Sequence, residues 1–245
     1  MITSSEELGT EVHIYEPKDL EQLSEINIPE TDRLYLHICK PVSLKFLKDF
    51  SNLKQLIIRG SLKNPAPIAQ CTTVEKLLIG GTTIDSLDFA ANLPLKTLGL
   101  EDIKTRVDRL IIPNIPTLEN LGLAGVHKVG DLDFLSDFTE LRKLTLSWLK
   151  TKRLFDFSKL SHLECLVIYR MLHLTSIKEL ATIPALNLLA ITETPKLKMQ
   201  ELNVAAHIKS LEKLHISYIT ENPNSYKRYV QEIGLGHLLQ DTWVI

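Results

Sequence analysis

Apolar residues recur along the chain in a short fixed pattern, in which one apolar residue is followed by others three and five positions later. Eight copies are clear, and they begin at Leu53, Val74, Leu95, Leu118, Leu141, Leu163, Leu186 and Leu211. A weaker ninth copy begins at Thr31. These starts lie 21 to 25 residues apart along the sequence. Self-similarity at a period of roughly 20 to 50 residues indicates a repeat architecture.

The last two apolar residues of each copy lie two positions apart, as Leu144 and Leu146 do, which places both on one face of a short strand. Between the strands, apolar residues recur every third position, as in Leu44-Leu47-Phe50 and Leu132-Leu135-Phe138. Period three suits a helical or 3₁₀ return. One strand–turn–return unit cannot bury its own leucines, so neighbouring units must stack. Counting back one repeat also predicts an amino-terminal strand over Val12-His13-Ile14-Tyr15.

These copies resemble the leucine-rich repeat family over roughly residues 12–217. The class of about 22 residues, found in bacterial internalin-like repeats and in a phosphatase-regulating subunit of eukaryotes, is the most similar one. The resemblance implies an α/β fold: a leucine-rich repeat solenoid in a curved arc, with a parallel β-sheet on the concave face. Short helical or 3₁₀ segments are then expected on the convex face.

One feature of the family is missing. Asn or Cys usually follows the last strand leucine by three residues and satisfies main-chain groups of the turn. In the nine repeats that position holds Cys39, Ser61, Thr82 or Thr194, which can form hydrogen bonds, and it is apolar in the other five. The apolar turns must therefore satisfy their main-chain groups in another way.

Three regions follow from the repeat boundaries. Residues 1–30 are expected to form an amino-terminal cap with the first strand, and residues 31–220 nine repeats that start near 31, 53, 74, 95, 118, 141, 163, 186 and 211. Residues 221–245 are expected to form a carboxy-terminal cap. In that cap Ser225 can begin a helix whose apolar residues include Tyr226 and Val230, and an apolar tail ends at Ile245.

Composition excludes several classes of function. The chain has 245 residues, and 28 Lys and Arg against 30 Asp and Glu give a formal net charge of −2. No overall positive field is available to attract nucleic acid or an anionic membrane. No stretch reaches the roughly 18 apolar residues of a membrane span, and three widely spaced cysteines suit a reducing compartment. We expect a cytoplasmic monomer that binds neither nucleic acid nor membrane.

If the leucines point inward, alternate strand residues must line the concave face. Five of the eight Tyr and Trp residues fall on this face or just after it, beside basic residues, and aromatic and basic side chains of this kind anchor protein interfaces. The candidate partner-binding residues are Tyr15, Arg33, Tyr35, His37, Arg59, Lys76, Glu101, Lys143, Trp148, Tyr169, Arg170, Lys213, His215 and Tyr218. The alternative is that tyrosine simply favours strands and covers an exposed sheet.

A run of small residues interrupts these side chains in the middle repeats, at Gly80, Gly81, Gly99, Gly122, Ala124 and Gly125. It predicts a shallow floor between aromatic walls on which a partner segment can lie. The alternative is that the glycines ease tight turns, and this interpretation is favoured for Gly81 and Gly125.

Motifs that carry catalysis are absent from the sequence, including G-x-G-x-x-G, the Walker loop, H-E-x-x-H and C-x-x-C. Gly80-Gly81-Thr82-Thr83 resembles a phosphate cradle only faintly, because no helix with a lysine follows it. His13 and His37 are expected to form a surface pair near Tyr35 rather than a metal site. No cofactor is expected.

The sequence therefore predicts a non-catalytic scaffold that binds a protein partner on its concave face, as an inhibitor, an immunity protein or an adaptor. The alternative from another class is an enzyme or enzyme subunit with an unrecognised active site. Too few residues remain outside the repeats to favour it.

Overall fold

A computed structural model describes residues 2–5, 9–217 and 223–240 of the chain. The chain divides into two compact units. The first contains residues 1–118 with 126–128, and the second contains residues 119–125 with 129–245.

The first unit contains six strands, and five of them are parallel. They are β1 (Ile2–Ser5), β2 (Gly9–Ile14), β3 (Arg33–Ile38), β4 (Gln55–Gly60), β5 (Lys76–Gly80) and β6 (Thr97–Glu101). Strands β2 to β6 pair in sequence order, each parallel to the next. β1 pairs antiparallel with β2 and was not predicted from the sequence.

The second unit contains five parallel strands, also paired in sequence order. They are β7 (Asn120–Ala124), β8 (Lys143–Ser147), β9 (Cys165–Tyr169), β10 (Leu188–Thr192) and β11 (Lys213–Ser217). The only α-helix in the described ranges, α1 (Pro223–Glu232), follows β11, and its Tyr226 and Val230 are buried. It begins two residues before the expected Ser225.

Strand burial follows the repeat pattern directly. In β3 the burial alternates between half-buried and buried residues along its whole length. Leu144 and Leu146 of β8 are completely buried, as are their register partners Leu166 and Ile168 in β9. The parallel strands and the inward leucine columns thus confirm the predicted repeat fold within each unit.

The returns between strands are mostly short 3₁₀ segments, as period three predicts. In the first unit they are Pro17–Glu25, Ile28–Glu30, Lys45–Asp49, Ala66–Gln70 and Asp88–Ala90, and in the second Asp133–Asp137, Lys178–Thr182, Met199–His207 and Gly236–Leu238. Their apolar residues complete the core; Leu47, Ile68, Leu135 and Leu180 are completely buried.

The position of the missing asparagine is used differently from one turn to another. The Thr82 hydroxyl accepts a hydrogen bond from the Leu62 N–H at 3.0 Å, so this turn uses the position as the sequence suggested. Thr194 does not, since its hydroxyl is buried without a hydrogen-bond partner among the described residues. Elsewhere, hydroxyls before the strands bond the preceding repeat, as Thr73 and Thr117 do to carbonyl oxygens at 2.7 and 2.8 Å.

Candidate functional site

The outward face of each sheet consists of the strand residues that alternate with the leucines. The predicted columns are in register within each unit, for example Arg33 with Gln55 and Lys76. The exception is β2. His13 pairs with His37, not with Tyr35 as the repeat count predicted, and Tyr15 falls beyond the end of the strand.

Aromatic rings stack at the amino-terminal end of the first unit. The rings of His13 and His37 are nearly parallel, with centroids 4.5 Å apart. Tyr35 stacks on His37 at 4.6 Å, and Tyr15, which is 53% exposed, lies 6.2 Å from His13. No group of three or more His, Cys, Asp or Glu suited to a metal ion occurs in the described part of the chain. The arrangement is a half-buried aromatic surface.

The small residues of the first unit do not form an open floor. Arg59 on β4 and Glu101 on β6 form an ion pair at 2.7 Å, and a Cβ added at Gly80 of the intervening strand would already touch Glu101. A Cβ at Gly99 would lie 2.3 Å from the side chain of Leu78, so that leucine occupies the space which the glycine leaves. The prediction of a shallow floor is therefore wrong for these positions.

A polar cavity of about 400 Å³ lies beyond the carboxyl ends of the strands in the first unit. It is lined by Ser61, Leu62, Gly81, Thr82, Thr83, Asp102, Lys104 and His127. Gly81 has φ +66°, so the Gly80–Thr83 segment is a turn and not a phosphate cradle. Asp102 and Lys104 bring opposite charges to the cavity, which therefore does not select ligands by the sign of their charge.

Four outward-pointing strand residues of the second unit are buried. Ser147, Val167, Ala190 and Thr192 all point outward by register, yet each is 5% exposed or less. Their exposure was expected from alternation alone, and that expectation is wrong. Neighbouring groups therefore cover these small side chains, and the accessible surface here belongs to larger residues such as Trp148.

Cationic groups stand at the edge of this surface where the strands begin. Lys143 is half-buried and Lys213 is exposed on the outer strand β11. Burial raises the pKa of the Cys165 thiol, and the nearby charge of Lys143 opposes part of that shift. His215 lies within hydrogen-bond distance of the Gln240 carbonyl, 3.1 Å away. A raised thiol pKa makes Cys165 a poor nucleophile.

The residues that directly follow β7, β8, β9 and β10 adopt the left-handed conformation. The φ values are +62° at Gly125, +56° at Trp148, +51° at Arg170 and +51° at Glu193. Their N–H groups donate to the carbonyl oxygens of Ser147, Tyr169, Thr192 and Ser217, at 2.9, 3.2, 3.0 and 3.0 Å respectively. This main-chain ladder fixes the four residues one strand spacing apart. Three of the four carry large side chains where glycine is the unstrained choice.

The three large side chains form one cluster, which we call the Trp–Arg–Glu cluster (Trp148, Arg170 and Glu193, with Tyr169 beside them). The Arg170 guanidinium carbon lies 4.8 Å from the centre of the Trp148 ring and 5.2 Å from that of Tyr169. Its Nε donates to a Glu193 carboxylate oxygen. That hydrogen bond raises the pKa of the guanidinium above its ordinary value. Arg170 is thus held in one orientation while the Trp148 side of the cluster faces solvent.

Trp148 is 49% exposed and Leu172, two residues after Arg170, is 45% exposed. They are the only large apolar side chains in the described part of the second unit that are this open. Tyr218, the remaining candidate of this region, lies outside the described residues, as does the predicted tail from Asp241 onward. The structure brings the candidate residues Trp148, Tyr169 and Arg170 together with Glu193, and it exposes Leu172 nearby in the sequence; Glu193 and Leu172 were not among the candidates.

The sequence matches no protein-family model and none of the curated proteins. Solved structures do resemble it. The plant peptide hormone receptor RGFR1 in complex with RGF2 superimposes with a TM-score of 0.52 and 17% identity, over 88% of this chain and 36% of the receptor chain. A leucine-rich repeat protein of Leptospira interrogans gives a TM-score of 0.51 and 16% identity, over 88% of this chain and 67% of that one.

The chain has a leucine-rich repeat fold. An internalin of Listeria monocytogenes gives a TM-score of 0.48 and 15% identity, over 95% of this chain and 59% of the internalin chain. The chain thus spans only part of the length of the receptor and of the internalin. None of the helices in the described ranges is long and apolar enough to cross a membrane.

Proposed function

We propose that this leucine-rich repeat protein is a non-catalytic recognition module that binds a protein partner on the outward face of its sheet. The observation that carries the proposal is the Trp–Arg–Glu cluster. Tryptophan, tyrosine and arginine are the residues most enriched among those that dominate the energy of protein interfaces. Here all three meet around one exposed indole.

Backbone strain supports a functional origin for this cluster. A residue with a Cβ in the left-handed region costs about 1 to 2 kcal/mol relative to glycine. Trp148, Arg170 and Glu193 each carry that cost, although Gly125 shows that glycine fits the same position of the repeat. Strained residues of this kind concentrate at ligand clamps. Packing of the core does not require these side chains, since they lie outside it.

The surrounding surface suits a macromolecular partner. The outward-pointing Ser147, Val167, Ala190 and Thr192 are each 5% exposed or less, so contacts with a partner must come from the larger side chains of the cluster. One structurally similar protein is a plant peptide hormone receptor in complex with RGF2, and this likeness supports a peptide or protein as the partner. Inhibitor, immunity protein and adaptor are the roles that fit a recognition module of this kind.

Affinity capture from the source cell tests the proposal with two baits in parallel. The wild-type protein should retain a partner that the double variant Trp148→Ala/Tyr169→Ala loses. With the purified partner, calorimetry should show a loss of about 2 kcal/mol or more of binding free energy. Ile111→Ala is the matched control, because Ile111 is 52% exposed, lies in the first unit and is not a candidate binding residue. Equal affinity of wild type and double variant, with both folded by circular dichroism, would refute the site.

A further inference from the structure

Positive charge is concentrated on one edge of the second unit. We call the segments 148–153, 170–173 and 193–198, which follow β8, β9 and β10, the basic rim. They contain six Lys or Arg residues and one carboxylate, Glu193. The segments that precede β8, β9, β10 and β11 carry both signs of charge, with Glu140, Glu164 and Glu212 against Arg142 and Lys209. The asymmetry stands out in a chain whose net charge is −2.

Most of the positive charges on the basic rim are not neutralised by a described carboxylate. Arg153 pairs with Asp133 at 3.2 Å, and Arg170 pairs with Glu193. The four lysines are exposed and form no ion pair with any residue in the described ranges; they are Lys150, Lys152, Lys196 and Lys198. Like charges so placed repel one another and raise the local potential, which attracts a chain of opposite sign.

Arg170 is ready to bind a carboxylate. Its Nε is occupied by Glu193, while Nη1 and Nη2 make no hydrogen bond to another residue in the described part of the chain. Because stacking on Trp148 and the bond to Glu193 already fix the guanidinium, little side-chain entropy remains to be lost on binding. The two terminal nitrogens can donate to an incoming carboxylate.

Apolar contacts flank this arginine. Trp148 precedes it on the ladder and Leu172 follows it, and both side chains are about half exposed. A partner segment that brings a carboxylate to Arg170 therefore passes two apolar side chains at the same time. An aromatic or large aliphatic residue next to its acidic residues would bury that surface.

We propose that the partner presents an acidic segment with a bulky apolar residue, and that this segment lies along the basic rim. The inference rests on the proposed recognition function and adds the chemistry of the partner to it. A single nucleic-acid strand also pairs positive charge with aromatic stacking. The protein segment is favoured because Leu172 offers no ring for a base and because the chain as a whole is slightly negative.

The test is selection from a displayed library of random 12-residue peptides on immobilised full-length protein. We expect wild-type protein to enrich peptides in which Asp or Glu residues flank an aromatic or large aliphatic residue. Synthetic versions should bind Lys150→Glu/Lys196→Glu at least about tenfold more weakly than wild type, since charge reversal turns attraction into repulsion. The matched control is Lys178→Glu/Lys209→Glu, which has the same net charge and exposed lysines outside the basic rim; it should bind like wild type.

Two outcomes would overturn this inference and leave the proposed function intact. One is enrichment of peptides without acidic residues. The other is equal loss of affinity in the rim variant and the control variant. Failure to enrich any peptide, together with a capture experiment that retains no partner, would instead overturn the proposed function itself. Binding of a 12-residue oligothymidylate that depends on Lys150 and Lys196, without peptide binding, would replace the acidic segment by nucleic acid.

Discussion

Replacing Trp148 by glycine and by alanine separates the strain of the turn from the contribution of the indole. Trp148 has φ +56°. Alanine removes the indole and keeps the left-handed penalty of about 1 to 2 kcal/mol, whereas glycine removes both. The greater freedom of glycine in the unfolded chain returns roughly 0.5 to 1 kcal/mol of that gain. We therefore expect Trp148→Gly to be more stable than Trp148→Ala by about 0.5 to 1 kcal/mol.

The assay is urea denaturation followed by circular dichroism, because the change removes one of only two tryptophans. Thr145 is the control position, since it lies within β8 on extended backbone. There the order should reverse, with Thr145→Gly less stable than Thr145→Ala by roughly 0.5 to 1 kcal/mol. The same order of stability at both positions would refute the view that the turn is strained. Both Trp148 variants should lose the partner, whichever of them is the more stable.

Three further changes probe the scaffold. Gly60 has φ +108° and an added Cβ would lie 2.1 Å from a main-chain carbonyl oxygen, so Gly60→Ala should lower the free energy of unfolding by roughly 2 to 4 kcal/mol. Gly122→Ala, with nothing within 4 Å of its Cβ, should leave the urea midpoint unchanged or higher; equal losses would contradict the geometry. A hydrogen bond from a main-chain N–H at 2.8 Å, with help from a guanidinium and a hydroxyl, lowers the pKa of Asp85. The stabilisation that ionised Asp85 provides is present above its unfolded pKa of about 4 and is lost as pH falls through the lower folded pKa. Asp85→Asn should therefore make the melting temperature fall less steeply on acidification. Parallel curves for the variant and the wild type would contradict this role of Asp85. Burial raises the pKa of Cys71 to about 11, so iodoacetamide at neutral pH should label exposed Cys39 long before Cys71, and equal rates by mass spectrometry would show that Cys71 is accessible.

The core-facing residues of the strands were predictable from sequence, because the spacing of the leucines gives both the strand positions and the side that is buried. Each copy of the repeat states which residues face the core, and Leu144 and Leu146 are completely buried as their spacing requires. Register also followed from the leucine motif, even where the spacing is long, as in the 25 residues between the partners Leu188 and Lys213. It failed at β2, because 24 residues separate Val12 from its partner Leu36 and two 3₁₀ segments fill the connection. Counting back one repeat of 22 residues therefore placed the residues of β2 two positions out of register with β3.

The exposure of the outward-pointing strand residues depends on side-chain conformations, which the repeat pattern does not predict. Nothing in the pattern states that Leu78 lies across Gly99, or that Val167 and Ala190 are covered although they point outward. The turn ladder did leave a signal. Counting one repeat on from Gly125 gives Trp148 and then Arg170, so large residues at a glycine-like position mark the cluster before any coordinates are known.

The ladder that holds these turns is made entirely of main-chain groups. Its hydrogen bonds pass from each N–H to the next strand's carbonyl oxygen and do not depend on which side chain the turn carries. Substitutions there can therefore accumulate one repeat at a time without disturbing the hydrocarbon interior. Binding specificity can therefore change through substitutions in this row of turn residues, in evolution or by design, while the repeat framework stays the same.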